Sequence, residues 1–230
     1  MLTLEQIVLR VGAFTLRADL SVTQGRKVAV VGPSGAGKST LVAAIAGFLE
    51  PEAGRITWKG QDLTRAAPGE RPVAMLFQDG NLFPHLTVEQ NVGLGIRPRL
   101  RLTTAEQARV QQALARVGLK GMGPRKPAHL SGGQQSRAAL ARVLVQDKAL
   151  ILLDEPFSAL GPALKLDMLD LVAALADEVG ATLIMVTHDP VDARRIADQV
   201  ILVADGVALP PQETSELLDN PPPVLRDYLG

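Results

Sequence analysis

The segment from 27 to 49 constrains the fold most, because it joins a strand pattern to a helix pattern through a glycine-rich loop. Lys27 to Val31 is a short apolar run, and GPSGAGKST follows at Gly32 to Thr40. Ser39 to Leu49 then carries apolar residues at helical spacing. The sequence therefore predicts an α/β fold that contains this strand, loop and helix.

Further apolar runs extend the same pattern along the chain. Four more strands are expected, at Val73 to Phe77, Leu150 to Leu153, Thr182 to Val186 and Val200 to Val203. Helical stretches between several of them predict a mostly parallel sheet with helices on both faces. Near the N-terminus, Thr15 to Val22 alternates apolar and polar residues, which predicts an antiparallel β layer with one buried face.

The stretch from about 86 to 130 has helical periodicity and no convincing strand. Thr103 and Glu106 form a capping box pattern ahead of a helix. Apolar residues then recur at helical spacing, namely Val110, Ala113, Leu114 and Val117. We predict one domain over residues 1–230, with residues 86–130 as a helical subdomain inserted into the α/β core.

Length and composition exclude several classes of function. The 230 residues leave no room for an added regulatory domain, and 24 basic residues balance 24 acidic ones, so nucleic acid is not an expected partner. The chain has no cysteine, so a bound metal is expected on oxygen ligands. Apolar runs such as Leu41 to Leu49 are too short to span a bilayer, and the N-terminus does not resemble a signal peptide. A cytoplasmic location is the expectation.

The glycine-rich loop is suited to phosphate. Its three glycines let successive N–H groups point inward, and the following helix adds its positive end. Lys38 is expected to reach the β and γ phosphates, and the Ser39 hydroxyl to bind Mg²⁺. A simple glycine-rich turn is the alternative while this motif stands alone. The predicted binding residues are Gly32, Pro33, Ser34, Gly35, Ala36, Gly37, Lys38, Ser39 and Thr40.

Four other motifs follow the loop in a fixed order. Gln78 ends the run VAMLFQ, LSGGQQ begins at Leu130, Asp154 and Glu155 end LILLDEP, and His188 lies in IMVTHDP. The acidic pair and the histidine are weak signals by themselves, because such residues are common at strand ends, whereas LSGGQ is much more specific. Together and in this order they resemble the motifs of the ATP-binding cassette (ABC) family. The chain is identified as a member of that family over almost all of its 230 residues.

The resemblance implies a role for each of these polar residues. Asp154 would hold Mg²⁺ through water, and Glu155 would polarise the water that attacks ATP. His188 would contact the γ-phosphate and fix the catalytic geometry. Gln78 would approach Mg²⁺ and the γ-phosphate, while its loop contacts a membrane partner. The expected reaction is ATP hydrolysis, in which catalysis rests mainly on positioning and charge neutralisation.

The LSGGQ segment predicts a second anion site and a dimer. Ser131 is a good N-cap, and the two glycines after it allow close backbone approach. In the family this segment closes over ATP that is bound by another protomer. The resemblance therefore implies a head-to-tail homodimer with two shared ATP sites, contacted in trans by Ser131, Gly132, Gly133 and Gln134.

The chain also departs from the family pattern. Gly161 stands where the family usually has an aspartate after SAL, in a loop that crosses the dimer interface. Val11 stands where an aromatic residue usually stacks on adenine, although Phe14 is near. In the loop after Gln78, an apolar stripe of Leu82, Phe83 and Leu86 would normally be core, and the alternative is that it receives a short helix of a membrane subunit.

Within the family, three segments resemble the ATPase subunits of bacterial thiamine importers. They are AGFLEPEAG at Ala46 to Gly54, the run from Arg71 to Ile96, and LVADG at Leu202 to Gly206. This resemblance implies a peripheral protein on the cytoplasmic face of the bacterial inner membrane. Its partners would be an integral membrane permease and, indirectly, a periplasmic solute-binding protein.

Three alternatives stay open at this stage. The chain could serve an importer for iron, sulfate or an organic solute, because the ATPase subunit does not touch the transported solute. It could be a soluble ABC ATPase of repair or translation, although such proteins usually carry two cassettes or a long coiled-coil insertion. It could also be a nucleotide-binding module with weak hydrolysis.

Overall fold

The computed structural model describes residues 1–78 and 81–229, with side chains described up to residue 226. The strands within these residues are β1 (Leu2–Val11), β2 (Phe14–Val22), β3 (Lys27–Val31), β4 (Ala53–Trp58), β5 (Gln61–Asp62), β6 (Val73–Leu76), β7 (Leu150–Asp154), β8 (Thr182–Val186), β9 (Gln199–Ala204), β10 (Val207–Ala208) and β11 (Gln212–Glu213). The helices are α1 (Lys38–Ala46), α2 (Val88–Gly93), α3 (Thr104–Arg116), α4 (Gly132–Leu144), α5 (Pro162–Val179), α6 (Pro190–Ile196), α7 (Thr214–Asp219) and α8 (Pro223–Leu229). None of these helices is long and apolar enough to cross a membrane.

The sheet has a parallel core and an antiparallel N-terminal layer. Its strand order is β5-β4-β1-β2-β10-β9-β3-β8-β7-β6, and β11 pairs with β9 at the side. The neighbours β9, β3, β8, β7 and β6 run parallel, whereas β5, β4, β1 and β2 pair antiparallel. The predicted fold class, an α/β core with an antiparallel layer near the N-terminus, is confirmed.

Burial explains why the two sheet types have different sequence patterns. β8 is buried at every position and β3 at all but its first, as expected for parallel strands that are covered on both faces. In β2 the buried residues alternate with Arg17, Asp19 and Ser21, which are exposed. The alternating strand thus has one buried face, and the continuous apolar strands have two.

The segment between residues 86 and 130 folds into α2, α3 and a short 3₁₀ turn at Pro127–His129. Thr103 caps α3, where its Oγ1 accepts from the N–H of Glu106 at 3.3 Å. The following helix α4 shares its hydrophobic core with α2 and α3, so the helical part of the molecule extends past residue 130 in space. The core of α3 consists of the predicted residues Val110, Ala113 and Leu114, and Val117 follows at its C-cap.

Arg71 holds the C-terminal end of α1 in place. Its side chain is almost fully buried, and Nη1 donates to the carbonyls of Ala44 at 2.7 Å and Ile45 at 2.9 Å. Nε donates to the Ala66 carbonyl at 2.9 Å. The Nη1 bonds supply a donor to carbonyls in the last turn of α1, and the Nε bond ties this helix end to the segment around Ala66.

We expect Arg71→Leu to lower the free energy of unfolding by about 3 kcal/mol, because several buried carbonyls lose their donor together. Denaturant unfolding of both proteins would measure the difference. Arg65→Leu is the matched control, since Arg65 is 88% exposed and forms a surface ion pair with Glu50. Equal losses in the two variants would contradict the role assigned to Arg71.

Candidate nucleotide-binding and hydrolysis site

The parallel strands bring the predicted site residues to one edge of the sheet. β3, β6, β7 and β8 are neighbours in parallel register, so their carboxyl ends lie side by side. Gly32 follows β3, Gln78 follows β6, Glu155 follows β7 and His188 follows β8. Ligands of open α/β sheets bind in the crevice at this edge. The topology therefore collects residues that are far apart in the chain into one region.

The phosphate loop needs glycine at two positions where other structure lies close. Gly32 has φ 147°, and a β-carbon there would overlap the carbonyl oxygen of Val203 in β9. Gly37 has φ 104°, and a β-carbon there would lie 2.8 Å from Cζ of Phe14. Because neither position tolerates a side chain, the loop can stay close to the sheet and lead directly into α1 at Lys38.

Lys38 is held inside the loop. Its ammonium donates to the carbonyls of Gly32 at 2.8 Å and Pro33 at 2.9 Å. The residue is only 8% exposed, and this burial lowers its pKa, against the opposing charges of Glu155 and Asp154. An ammonium group has three donors, so one remains for a phosphate oxygen.

Ser39 and Asp154 form an oxygen pair that suits Mg²⁺. Ser39 Oγ donates to Asp154 Oδ1 at 3.2 Å. Mg²⁺ usually keeps several waters among its six oxygen ligands, so the Ser39 hydroxyl can bind the ion directly while Asp154 holds one of those waters. Burial raises the pKa of Asp154, and nearby Glu155 raises it further, so a cation would relieve the cost of the buried carboxylate. The residues present therefore fit Mg²⁺.

Gln78, the third predicted metal ligand, lies apart from this pair. It is exposed at the end of β6, and no hydrogen bond joins it to Ser39 or Asp154 within the described residues. It instead lines a cleft together with Leu82 and Gly132. A metal role for Gln78 stays a prediction.

Glu155 and His188 contact each other directly. Oε2 of Glu155 accepts from Nδ1 of His188 at 3.1 Å, across 33 residues of sequence. Glu155 has a left-handed backbone, with φ 44°, and its N–H donates to the Val186 carbonyl at 3.2 Å. A non-glycine residue in this region costs roughly 1–3 kcal/mol, and such strain is frequent at functional sites. The two predicted catalytic residues are thus adjacent.

The predicted second anion site begins α4. Ser131 Oγ accepts from the N–H of Gln134 at 3.3 Å, and Gln134 Oε1 accepts from the N–H of Ser131 at 3.0 Å. Ser131 and Gly132 are exposed. Among the described residues, no hydrogen bond joins this segment to the phosphate loop of the same chain. Ser131 and Gly132 are therefore accessible for contact with another molecule.

Sequence reasoning missed the residue that anchors this segment. Gln135 Nε2 donates to the carbonyls of Pro127 at 3.1 Å and Leu130 at 3.3 Å, which ties α4 to the 3₁₀ turn before it. Its position directly after the capping box was the available signal. The second glutamine of SGGQQ is therefore an anchor, whereas the first completes the cap.

The departures from the family pattern have clear places in the structure. Gly161 is the N-cap of α5 and supplies no side-chain cap. Val11 is 51% exposed at the end of β1, while the partly buried ring of Phe14 lies against Gly37 of the phosphate loop. Phe14 is thus the aromatic side chain that contacts the loop.

Comparisons with known proteins agree with this site. The model of the ABC transporter family matches residues 16–158, a range that contains the phosphate loop, the LSGGQ segment and Glu155. The chain is 64% identical over 230 residues to the thiamine import ATP-binding protein ThiQ of Ruegeria sp. strain TM1040, with all of both chains covered. It is 60% identical over 230 residues, again with full coverage, to the ThiQ protein of Cereibacter sphaeroides.

Solved structures resemble the chain as well. A dimeric structure of the ATP-binding cassette MJ0796, bound to ADP and Pi, has a TM-score of 0.79 and 28% identity, and covers 93% of this chain and 99% of its own. The structure of cbiO1 from Clostridium perfringens, part of the ABC transporter complex cbiONQ, has a TM-score of 0.83 and 28% identity, with 95% and 90% covered. With the family pattern matched across 143 residues and 64% identity to a relative over the full length, the chain belongs to the ABC transporter family.

Proposed function

We propose that this protein is the ATP-binding and ATP-hydrolysing subunit of a thiamine importer and drives transport through a separate membrane permease. The observation that carries this proposal is full-length identity of 64% and 60% to proteins named thiamine import ATP-binding proteins. A third such relative, from Jannaschia sp., is 53% identical over 229 residues. Identity that extends over the whole length of the chain, and not only over the nucleotide motifs, favours the same task.

The site residues support a division of labour in hydrolysis. The phosphate loop and Lys38 bind the phosphates of ATP, while Ser39 and Asp154 hold Mg²⁺. When bound, Mg²⁺ neutralises charge on the phosphate oxygens. Glu155 orients the attacking water and accepts its proton, and His188 keeps the Glu155 carboxylate in position through their 3.1 Å contact.

We further propose that two copies of the chain share two ATP molecules. Ser131 and Gly132 of the LSGGQ segment are exposed, and no hydrogen bond joins the segment to its own phosphate loop in the described structure. The related cassette MJ0796 is dimeric in its solved structures. Ser131, Gly132, Gly133 and Gln134 would then contact the nucleotide held by the other copy, so that each ATP joins both subunits.

A cleft between the core and the helical part is the proposed permease site. Leu76, Leu82 and Leu160 line it together with Gln78 and Gly132. Exposed aromatic rings at Phe48, Phe77 and Phe83 extend the apolar surface. An apolar face of this kind suits a short amphipathic helix of a membrane subunit. Residues 79 and 80 of the predicted docking loop lie outside the described residues.

Docking at this cleft would place the protein, peripherally, on the cytoplasmic face of the inner membrane. The periplasmic solute-binding protein would then act on it only through the permease. Since the site contacts nucleotide and permease but not solute, recognition of thiamine would belong to those partners.

Uptake of labelled thiamine in cells that lack this gene tests the proposal. We expect the wild-type gene to restore uptake and Glu155→Gln to fail, because the variant keeps the surface but not water activation. Glu52→Gln, at an exposed residue paired with Arg10, is the control and should restore uptake fully. Uptake that is unchanged by the deletion would contradict the thiamine assignment and favour an importer of another solute.

A further inference from the structure

The first turn of α5 contacts both the LSGGQ segment at the start of α4 and the segment after β8 that carries His188. Leu164 packs against Gly133 so closely that a β-carbon on that glycine would overlap its side chain. The next residue, Lys165, reaches the start of α6. Its Nζ lies 2.6 Å from Oδ2 of Asp189, the N-cap of this helix, and 2.8 Å from Oδ1 of Asp192 within it. The contact of Leu164 with α4 thus fixes the position of the α5 backbone from which the Lys165 side chain extends.

The carboxylates bound by Lys165 control the backbone on both sides of His188. Asp189 Oδ1 caps α6 by accepting from the N–H of Val191 at 2.9 Å, and its own N–H donates to Thr187 Oγ1 at 3.1 Å. Thr187 Oγ1 donates to Asp192 Oδ2 at 2.8 Å. Thr187 and Asp189, the residues before and after His188, therefore belong to one network of hydrogen bonds and ion pairs. Lys165 supplies the positive charge of this network.

The network is partly shielded from water, so the interactions between its charged groups are stronger than they would be on an exposed surface. The side chains of Lys165 and Asp192 are only 17% and 9% exposed. Burial opposes the charge of Lys165, but hydrogen bonds to Asp189 and Asp192 outweigh it and raise its pKa. Loss of this cation would leave two adjacent carboxylates that repel each other beneath the His188 loop.

A second ion pair shows that Lys165 is not needed merely to join α5 to α6. Arg195 of α6 donates to both carboxylate oxygens of Asp170 of α5, at 2.7 and 2.5 Å, on the exposed surface. Lys165, by contrast, lines the same small cleft as Glu155 and His188. Both sets of ion pairs join α5 to α6, but it is Lys165 that lines the cleft with the two predicted catalytic residues.

We propose that Lys165 is a positioning residue that holds the Thr187 to Asp189 turn so that His188 stays in contact with Glu155. The inference rests on the proposed ATPase function. It adds a residue outside the phosphate loop that acts on hydrolysis through His188.

ATP hydrolysis by the purified full-length protein with Mg²⁺ tests this assignment. We expect Lys165→Met to lower kcat by about 10-fold or more, since small displacements of a catalytic group are costly. The KM for ATP should change by less than about twofold, because the phosphate loop is untouched. Lys165→Arg, which keeps the cation, should recover most of the turnover. Arg195→Met removes the matched ion pair and should keep wild-type kcat.

A double-mutant cycle separates positioning from a general loss of stability. In a His188→Ala background, Lys165→Met should cause little further loss of kcat, because the residue through which it acts is already gone. Fully additive losses, or equal losses in Lys165→Met and Arg195→Met, would overturn the inference. If Lys165→Met does not fold, Lys165→Gln can replace it in the double-mutant cycle.

The two proposals fail in different ways. A folded wild-type protein that hydrolyses no ATP would contradict the proposed function itself. An active wild type together with a fully active Lys165→Met would overturn only the role of Lys165.

Discussion

Glu155→Gln is expected to reduce ATP turnover by about 10²- to 10⁴-fold while ATP binding persists. The amide has nearly the shape of the carboxylate and can still bond to His188, which lies 3.1 Å from the native carboxylate. It cannot accept a proton from water at neutral pH. Phosphate and Mg²⁺ ligands at Lys38, Ser39 and Asp154 are unchanged, so only the chemical step is lost.

The same variant tests the shared-site dimer. If each ATP joins two subunits, blocked hydrolysis should trap an ATP-dependent dimer that is visible by size-exclusion chromatography with light scattering. Glu178→Gln, at an exposed residue paired with Arg116, is the control and should hydrolyse ATP as the wild type does. A Glu155→Gln protein that binds ATP but stays monomeric would contradict the proposed dimer.

Lys38→Ala should weaken ATP binding by about 100-fold, which equals about 2.8 kcal/mol. Hydrogen bonds to charged groups contribute roughly 1.5–3 kcal/mol, and this ammonium group has a donor left after binding the Gly32 and Pro33 carbonyls. Its loss also frees those carbonyls to repel phosphate. Calorimetric titration with ATP and Mg²⁺ measures the change directly.

Lys27→Ala is the matched control for this experiment. Lys27 begins β3, at the opposite edge of the sheet from the phosphate loop, and pairs with Asp177 at 2.5 Å. It should bind ATP as the wild type does. Equal losses of affinity in both variants would show that the effect of Lys38 is general charge loss and not phosphate contact.

Local patterns predicted much of the secondary structure. The bounds of β3 and β8 agree with the expected strands, because buried parallel strands are unbroken apolar runs that end abruptly at polar residues. The caps at Thr103 and Ser131 were also predicted, since capping uses residues only three positions apart. These features depend on neighbours in sequence.

Where distant residues decide the structure, the sequence patterns were less informative. The helix after the phosphate loop ends at Ala46, three residues before the predicted Leu49. Gly47 adopts φ 90°, and a β-carbon there would lie 2.5 Å from Nε of Arg71. The buried guanidinium, 24 positions further along the chain, thus leaves room only for glycine at the position where the helix ends.

The sequence by itself determined which residues are candidates for the chemistry, because each motif is a short segment whose residue types define what it can bind. Tertiary structure alone decided which of them meet. Ser39 contacts Asp154 across 115 residues, Glu155 contacts His188 across 33, and Lys165 reaches Asp189 across 24. These contacts follow from the order and register of parallel strands, and strand pairing between distant segments leaves no local pattern in the sequence.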